Sequence, residues 1–158
     1  MHPSVERVVT ALRAGGVDAE IREFSESTRT AIDAANALGV PVGAIVKSLV
    51  FAADGAPVLV LASGDHQVDT TKVAHVLAAT HVGRADADLV RDATGFAIGG
   101  VAPVGHPRPL RTVIDTHLSS FEAIWAAAGT PRTVFATTYD ELSRLTGAIA
   151  ADIGAGDV

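Results

Sequence analysis

The stretch from Thr94 to Pro107, TGFAIGGVAPVGHP, restricts this chain more than any other. It holds four glycines (Gly95, Gly99, Gly100, Gly105) and two prolines (Pro103, Pro107). That density excludes a helix or a regular central strand, because glycine loosens the backbone and proline removes a donor. Yet Phe96, Ala97, Ile98, Val101, Ala102 and Val104 between them are apolar. A plain surface turn would carry Ser, Asn and Asp instead. An apolar loop punctuated by glycine is a backbone held closely against something. That partner is either the core, making the stretch a buried connection, or a ligand.

The rest of the chain must supply the frame for this loop. Its 158 residues suit one domain with a sizeable core, and 48% hydrophobic against 19% charged residues mark a folded protein. Cysteine is absent, which excludes disulfides, zinc thiolate sites and a cysteine nucleophile. No apolar run reaches membrane-spanning length and no signal peptide opens the chain, so the expectation is a soluble, cytoplasmic protein. The net charge of −6 argues against a protein that wraps nucleic acid. It leaves room for a local contact through cations such as Lys47, Lys72, Arg84, Arg108, Arg111 and Arg132.

Periodicity predicts alternating helices and strands. Residues 3–14 read as a helix stopped by Gly15 and Gly16, followed by a half-buried strand from Val17 to near Phe24. Ser25 to Arg29 reads as a polar loop. Thr30 with Asp33 opens a short helix to Leu38. Ala44–Ala53 is the most strand-like run, and Pro57–Ala62 a second. They form a hairpin around Asp54-Gly55, with a loop longer than the two-residue type. Helices follow from Asp69 and over Asp86–Ala93, with a short strand near Val82 between them. Arg111–Asp115 and Thr133–Thr137 read as strands. Thr138 with Glu141 caps a last helix closed by Gly147. Phe121–Ala128 suits helix by its alanines and strand by Ile124 and Trp125. Gly154–Val158 is expected to fray. The pattern predicts a mixed α/β domain with one sheet.

Lys47 is the sharpest single residue, because a lysine centred in an apolar strand is costly to bury unless its ammonium is paired or reaches water. It is either an edge lysine or the partner of a carboxylate such as Asp115, or it aims into a pocket to bind phosphate or carboxylate. The G-x-S-x-G, P-loop and G-x-G-x-x-G signatures are missing. His2, His66, His75, His81, His106 and His117 lack ligand spacing, so no metal site and no cofactor is expected. His106 stands out because it ends the glycine-rich loop. Asp65, Asp69 and Asp115 lie near loop or strand ends, Asp69 most simply as a helix cap.

Three segments together resemble the YbaK family, related to the editing domain inserted in bacterial prolyl-tRNA synthetases. They are Ile45-Val46-Lys47-Ser48-Leu49, the loop Gly99 to Gly105, and Glu141 to Gly147. The loop fits the family's G-x-x-x-P-x-G pattern at Gly99, Pro103 and Gly105, and Lys47 falls at the family lysine. SGDHQVDTTKVA (63–74) is similar to the segment preceding the loop. The resemblance implies a single editing domain over 1–158, a mostly antiparallel mixed sheet curled into a partial barrel with surrounding helices, and a strand at Phe121–Ala128. It implies a free-standing deacylase that hydrolyses the ester of mischarged tRNA, with Cys- or Ala-tRNA(Pro) as substrate. The partners implied are the aminoacylated tRNA 3′ end and prolyl-tRNA synthetase.

By the same resemblance Lys47, Gly99 and Gly100 are the catalytic candidates. Val101, Ala102, Pro103, Gly105, Thr130 and Asp115 are the substrate-binding ones. Some relatives carry histidine at the position of Thr130, which bears on substrate choice. An aminoacyl ester is already activated, so its hydrolysis needs positioning and backbone hydrogen bonds more than a protein nucleophile. The alternative from another class is a binding module that holds an aminoacyl group, a nucleotide or a tRNA 3′ end without turnover.

Overall fold

The computed structural model describes residues 1–25 and 30–155. Of the polar loop expected at Ser25–Arg29, residues 26–29 lie outside the described residues, as do 156–158 of the fraying expected at Gly154–Val158.

Among the described residues, five α-helices are interspersed with eight strands. They are α1 (Pro3–Ala14), β1 (Ile21–Glu23), α2 (Ala31–Leu38), β2 (Val46–Ala53), β3 (Ala56–Ser63), α3 (Thr70–Leu77), β4 (Val82–Arg84), α4 (Ala87–Thr94), β5 (Arg111–Asp115), β6 (Ile124–Ala127), β7 (Thr133–Thr137), α5 (Tyr139–Thr146) and β8 (Ile149–Ala151). Short 3₁₀ turns at Val42–Ala44 and Thr116–Ser120 complete it. Local chemistry sets most boundaries. Thr30, Asp69, Asp86 and Thr138 each accept a backbone N–H from the first turn of the helix they open. Gly39, Gly95 and Gly147 close helices in the left-handed conformation.

The strands form two sheets, not the one curled sheet expected. One has the order β4-β2-β3-β5-β8, the other β1-β7-β6. Pairing is antiparallel except for β3–β5 and β5–β8. Among the described residues the sheets meet through a single bridge, Ile45 to Trp125. Ile45 leaves the preceding 3₁₀ turn there, so no continuous ladder joins β2 to β6 and the hydrogen bonding does not close a barrel.

Three local expectations change. The strand expected from Val17 shortens to Ile21–Glu23, because Val17 N–H is still bound to Leu12 at the end of α1 and only three residues pair with β7. The hairpin loop is the two-residue type after all. Ala53 pairs with Ala56, and Asp54 and Gly55 both take positive φ, 49° and 85°. Gly154 does not fray: it bridges Val68 and its carbonyl accepts from Lys72 Nζ at 2.7 Å.

β3 is the spine of the core, with Val58 to Ala62 buried on both faces. Leu59 and Leu61 share one cluster with Val8 and Leu12 of α1, Phe96, Ile114, Phe135 and Leu142. Val58 and Val60 face Val73 and Leu77 of α3, Val113 and Ile153. Because β3 and β5 run parallel, their C-terminal ends emerge side by side. Ser63 and Asp115 therefore become neighbours although far apart in sequence.

Candidate functional site

Lys47 lies on β2 opposite Ala62 of β3, half-buried. Its Nζ donates to the main-chain carbonyl of His66, in the segment just past β3. Burial pushes the ammonium pKa below its ordinary value, and the carboxylates of Asp115 and Asp65 oppose that shift without cancelling it. No ion pair links Lys47 to Asp115 among the described residues, so the direct pairing weighed from sequence is replaced by an electrostatic one.

Asp115 is fully buried and has other work. It accepts from Ser63 N–H at 3.1 Å, His117 N–H at 3.0 Å and His66 Nδ1 at 2.9 Å. One carboxylate thus ties the ends of β3 and β5 together and fixes the segment whose carbonyl holds Lys47. Ser63 Oγ adds contacts to the Gly43 carbonyl (2.6 Å) and Asp65 Oδ1 (2.8 Å). Burial alone would raise the Asp65 pKa, but hydrogen bonds from Ser63 and His117, with the nearby histidines, bring it below its usual value.

The glycine-rich loop divides into a pegged half and an exposed crest. Phe96 is buried, with the Arg7 guanidinium 4.7 Å from its ring centroid. Val101, Ala102, Pro103 and Val104 are buried too, and His106 Nε2 donates to the Ala102 carbonyl at 2.8 Å. Burial lowers the His106 pKa against that hydrogen bond, which favours a neutral strut. Between these pegs Ala97, Ile98 and Gly99 are exposed. The loop is therefore both a core connection and a rim.

The two adjacent glycines differ. Gly99 has φ +91° and open space around it, with Pro131 Cγ as its nearest neighbour at 3.9 Å from a would-be Cβ. Gly100 donates to the Ala97 carbonyl at 3.0 Å, and a Cβ there would meet the Thr130 backbone at 3.0 Å. Gly99 serves conformation and access, whereas Gly100 serves close approach of two backbones.

A cleft of about 910 Å³ opens between β2, β6 and this crest. Lys47, Ser48, Arg84, Gly99, Val101, Trp125 and Thr130 are among the residues on its wall. Of the residues singled out from sequence, Lys47, Gly99, Val101 and Thr130 reach the cleft. Gly100 lies instead on a neighbouring groove of about 620 Å³, which shares Thr130. Ala102, Pro103, Gly105 and Asp115 stand behind the wall, Gly105 with φ +88° against the Arg7 backbone. Three further wall residues were not among the site candidates read from sequence. Ser48 Oγ is buried without a hydrogen-bond partner, and Arg84 adds a second cation. Trp125, half-buried on β6, supplies the largest apolar surface. Ser48 left a signal as the second polar residue in an apolar strand, and Arg84 only as one of the scattered cations.

The comparisons with known proteins define the class of this α/β scaffold. The chain belongs to the aminoacyl-tRNA editing domain family, which residues 25–145 match. It is the YbaK type, related to the editing domain of prolyl-tRNA synthetase. It is 36% identical over 122 residues to a proline–tRNA ligase of Bacillus licheniformis, covering 75% of this chain but only 21% of the ligase. It is 30% identical over 141 residues to the uncharacterized protein YwhH of Bacillus subtilis, covering 89% of each. A crystal structure of a protein with the proposed role of trans-editing enzyme for prolyl tRNA synthetase superposes with a TM-score of 0.93, at 44% identity and 99% coverage of both chains.

Proposed function

We propose that this chain is a trans-editing deacylase that hydrolyses the ester between a wrong amino acid and the terminal adenosine of a tRNA. Cys- or Ala-tRNA(Pro) is the proposed substrate. The observation that carries the reading is the cleft, where Lys47, Gly99 and Val101 line one space in an editing-family fold.

In this reading the tRNA end enters with its terminal phosphate or ribose against Lys47. The aminoacyl group lies against the glycine rim, with Trp125 and Thr130 bounding its side chain. Water adds to the ester carbonyl, the carbon–oxygen bond to the ribose breaks, and the ribose oxygen leaves with a proton. Positioning and hydrogen bonds to the carbonyl oxygen supply the acceleration, in keeping with an activated ester. Asp115, Gly100, Ala102, Pro103 and Gly105 act from behind, holding the wall in place. The acidic net charge fits a protein that grips only the tRNA end. Lys47 and Arg84 line the cleft and Arg132 the adjoining groove, while Lys72 and Arg111 are bound to the main-chain carbonyls of Gly154 and Leu77.

A panel of tRNA(Pro) carrying Ala, Cys, Ser or Pro with a labelled amino acid tests this. Release of Ala or Cys well above the spontaneous rate, with Pro spared, is expected. Tight binding of every member with no accelerated release would replace the enzyme by a binding module.

A further inference from the structure

A second group of side chains stands beside the cleft without lining it. Asp65 and His66 follow β3, His117 follows β5, and one donor atom from each lies within 4.8 Å of the other two. Asp65 Oδ2 is 3.2 Å from His117 Nε2, and Asp65 Oδ1 is 4.0 Å from His66 Nε2. We propose that Asp65, His66 and His117 form a binding site for a divalent transition-metal ion of the zinc class, separate from the deacylation cleft.

Three features make this more than a surface cluster. First, His66 Nδ1 is bound to the buried Asp115 carboxylate at 2.9 Å. That contact turns Nδ1 toward the buried carboxylate and Nε2 toward the cluster, the arrangement that orients metal-binding histidines. Second, the fold keeps the room clear. A Cβ on Gly43 would stand 2.8 Å from Asp65 Oδ2, so a side chain there would crowd the carboxylate. Third, the donor set is two imidazoles and one carboxylate, all partly open to solvent. Such a set suits zinc, cobalt or nickel and leaves positions for water, whereas magnesium and calcium favour oxygen donors.

The rings of His66 and His117 now stack with centroids 4.3 Å apart and planes at 19°. Closing on one ion therefore takes a turn of the His117 ring, whose side chain is about a third exposed. Its Nε2 partner is Asp65, itself a ligand, and the turn also shifts its edge-on contact with the Phe121 ring, whose centroid is 5.5 Å away. An ion there would clip the ends of β3 and β5 together.

Cobalt(II) titration followed by absorbance, with calorimetric titration of zinc, tests the site on the full chain after chelation. One equivalent should bind, and His117→Ala and Asp65→Ala should each weaken it at least about tenfold. Both residues are partly exposed, and each variant's melting curve without metal reports whether it is folded. His2, beside the chain's first residue, is the competing site, so His2→Ala must leave the stoichiometry unchanged. No binding to the wild type, or binding that survives in folded His117→Ala and Asp65→Ala, overturns the proposal. The readout is independent of deacylation, so its failure leaves the editing reading untouched.

Discussion

The Nδ1 of His66 stands 2.9 Å from the Oδ2 of Asp115, and the carbonyl of the same His66 accepts the Lys47 ammonium. A fully buried carboxylate that touches no cleft surface is thereby coupled to the one lysine that does.

Asp115→Asn should accordingly lose both stability and activity. The amide keeps the shape but gives up the charge, and it turns an N–H2 toward one of three donors. Disrupting a buried charged acceptor of this kind costs on the order of 2–4 kcal/mol. Denaturant unfolding measures the first loss, and kcat/KM of the fraction still folded measures the second. A variant with unchanged stability and turnover would show that the Asp115–His66 contact positions nothing.

Gly99 and Gly100 should separate under substitution by valine. At Gly99 the backbone has φ +91°, and a side chain would stand at the cleft mouth, so turnover should fall more than stability. At Gly100 the added atoms meet the Thr130 backbone, so the melting temperature should drop first. Equal melting temperatures and normal turnover in both variants would reduce the loop to a connector.

Much of the frame was legible because its signals are local. The capping residues Thr30, Asp69, Asp86 and Thr138 sit within three residues of the amides they bind. Lys47 was legible because charge in an apolar strand is costly wherever the strand ends up. What escaped depends on distant pairing. β8 was missed because Ile149–Ala151 is a strand only by lying beside β5. The Asp65–His66–His117 group was missed because only the parallel pairing of β3 with β5 brings its members together. The Lys47 anchor is a main-chain carbonyl, which carries no residue signature at all.

The depressed pKa of Lys47 gives a signed pH effect on folding. The folded chain releases this proton at lower pH than the unfolded chain, whose lysine titrates near 10.5. Between the depressed value and 10.5 the unfolded state holds more protons, so rising pH favours the fold there. Lys47→Met should therefore be as stable as wild type or more so at neutral pH. That advantage should shrink as pH rises through the Lys47 pKa and vanish above the unfolded one. Melting temperatures of both proteins from pH 7 to 10.5 check this, and an advantage that grows with pH would refute it.

Deacylation should survive exhaustive chelation of transition metals, with magnesium held constant because tRNA folding uses it. Asp65, His66 and His117 do not line the cleft, so emptying that cluster removes nothing from the proposed chemistry. Loss of activity that zinc restores would move the reaction centre to the histidines.

The rate of labelled amino acid release from mischarged tRNA(Pro), measured for wild type and Lys47→Ala alongside their melting temperatures, tests the central claim most directly. Wild type should exceed spontaneous hydrolysis by a wide margin. Loss of a charge-assisted contact worth about 2–4 kcal/mol in the transition state should lower kcat/KM roughly 30- to 1000-fold in Lys47→Ala. Its melting temperature should hold or rise. A wild type no faster than the spontaneous reaction, or a Lys47→Ala variant that is destabilised yet fully active, would contradict the account.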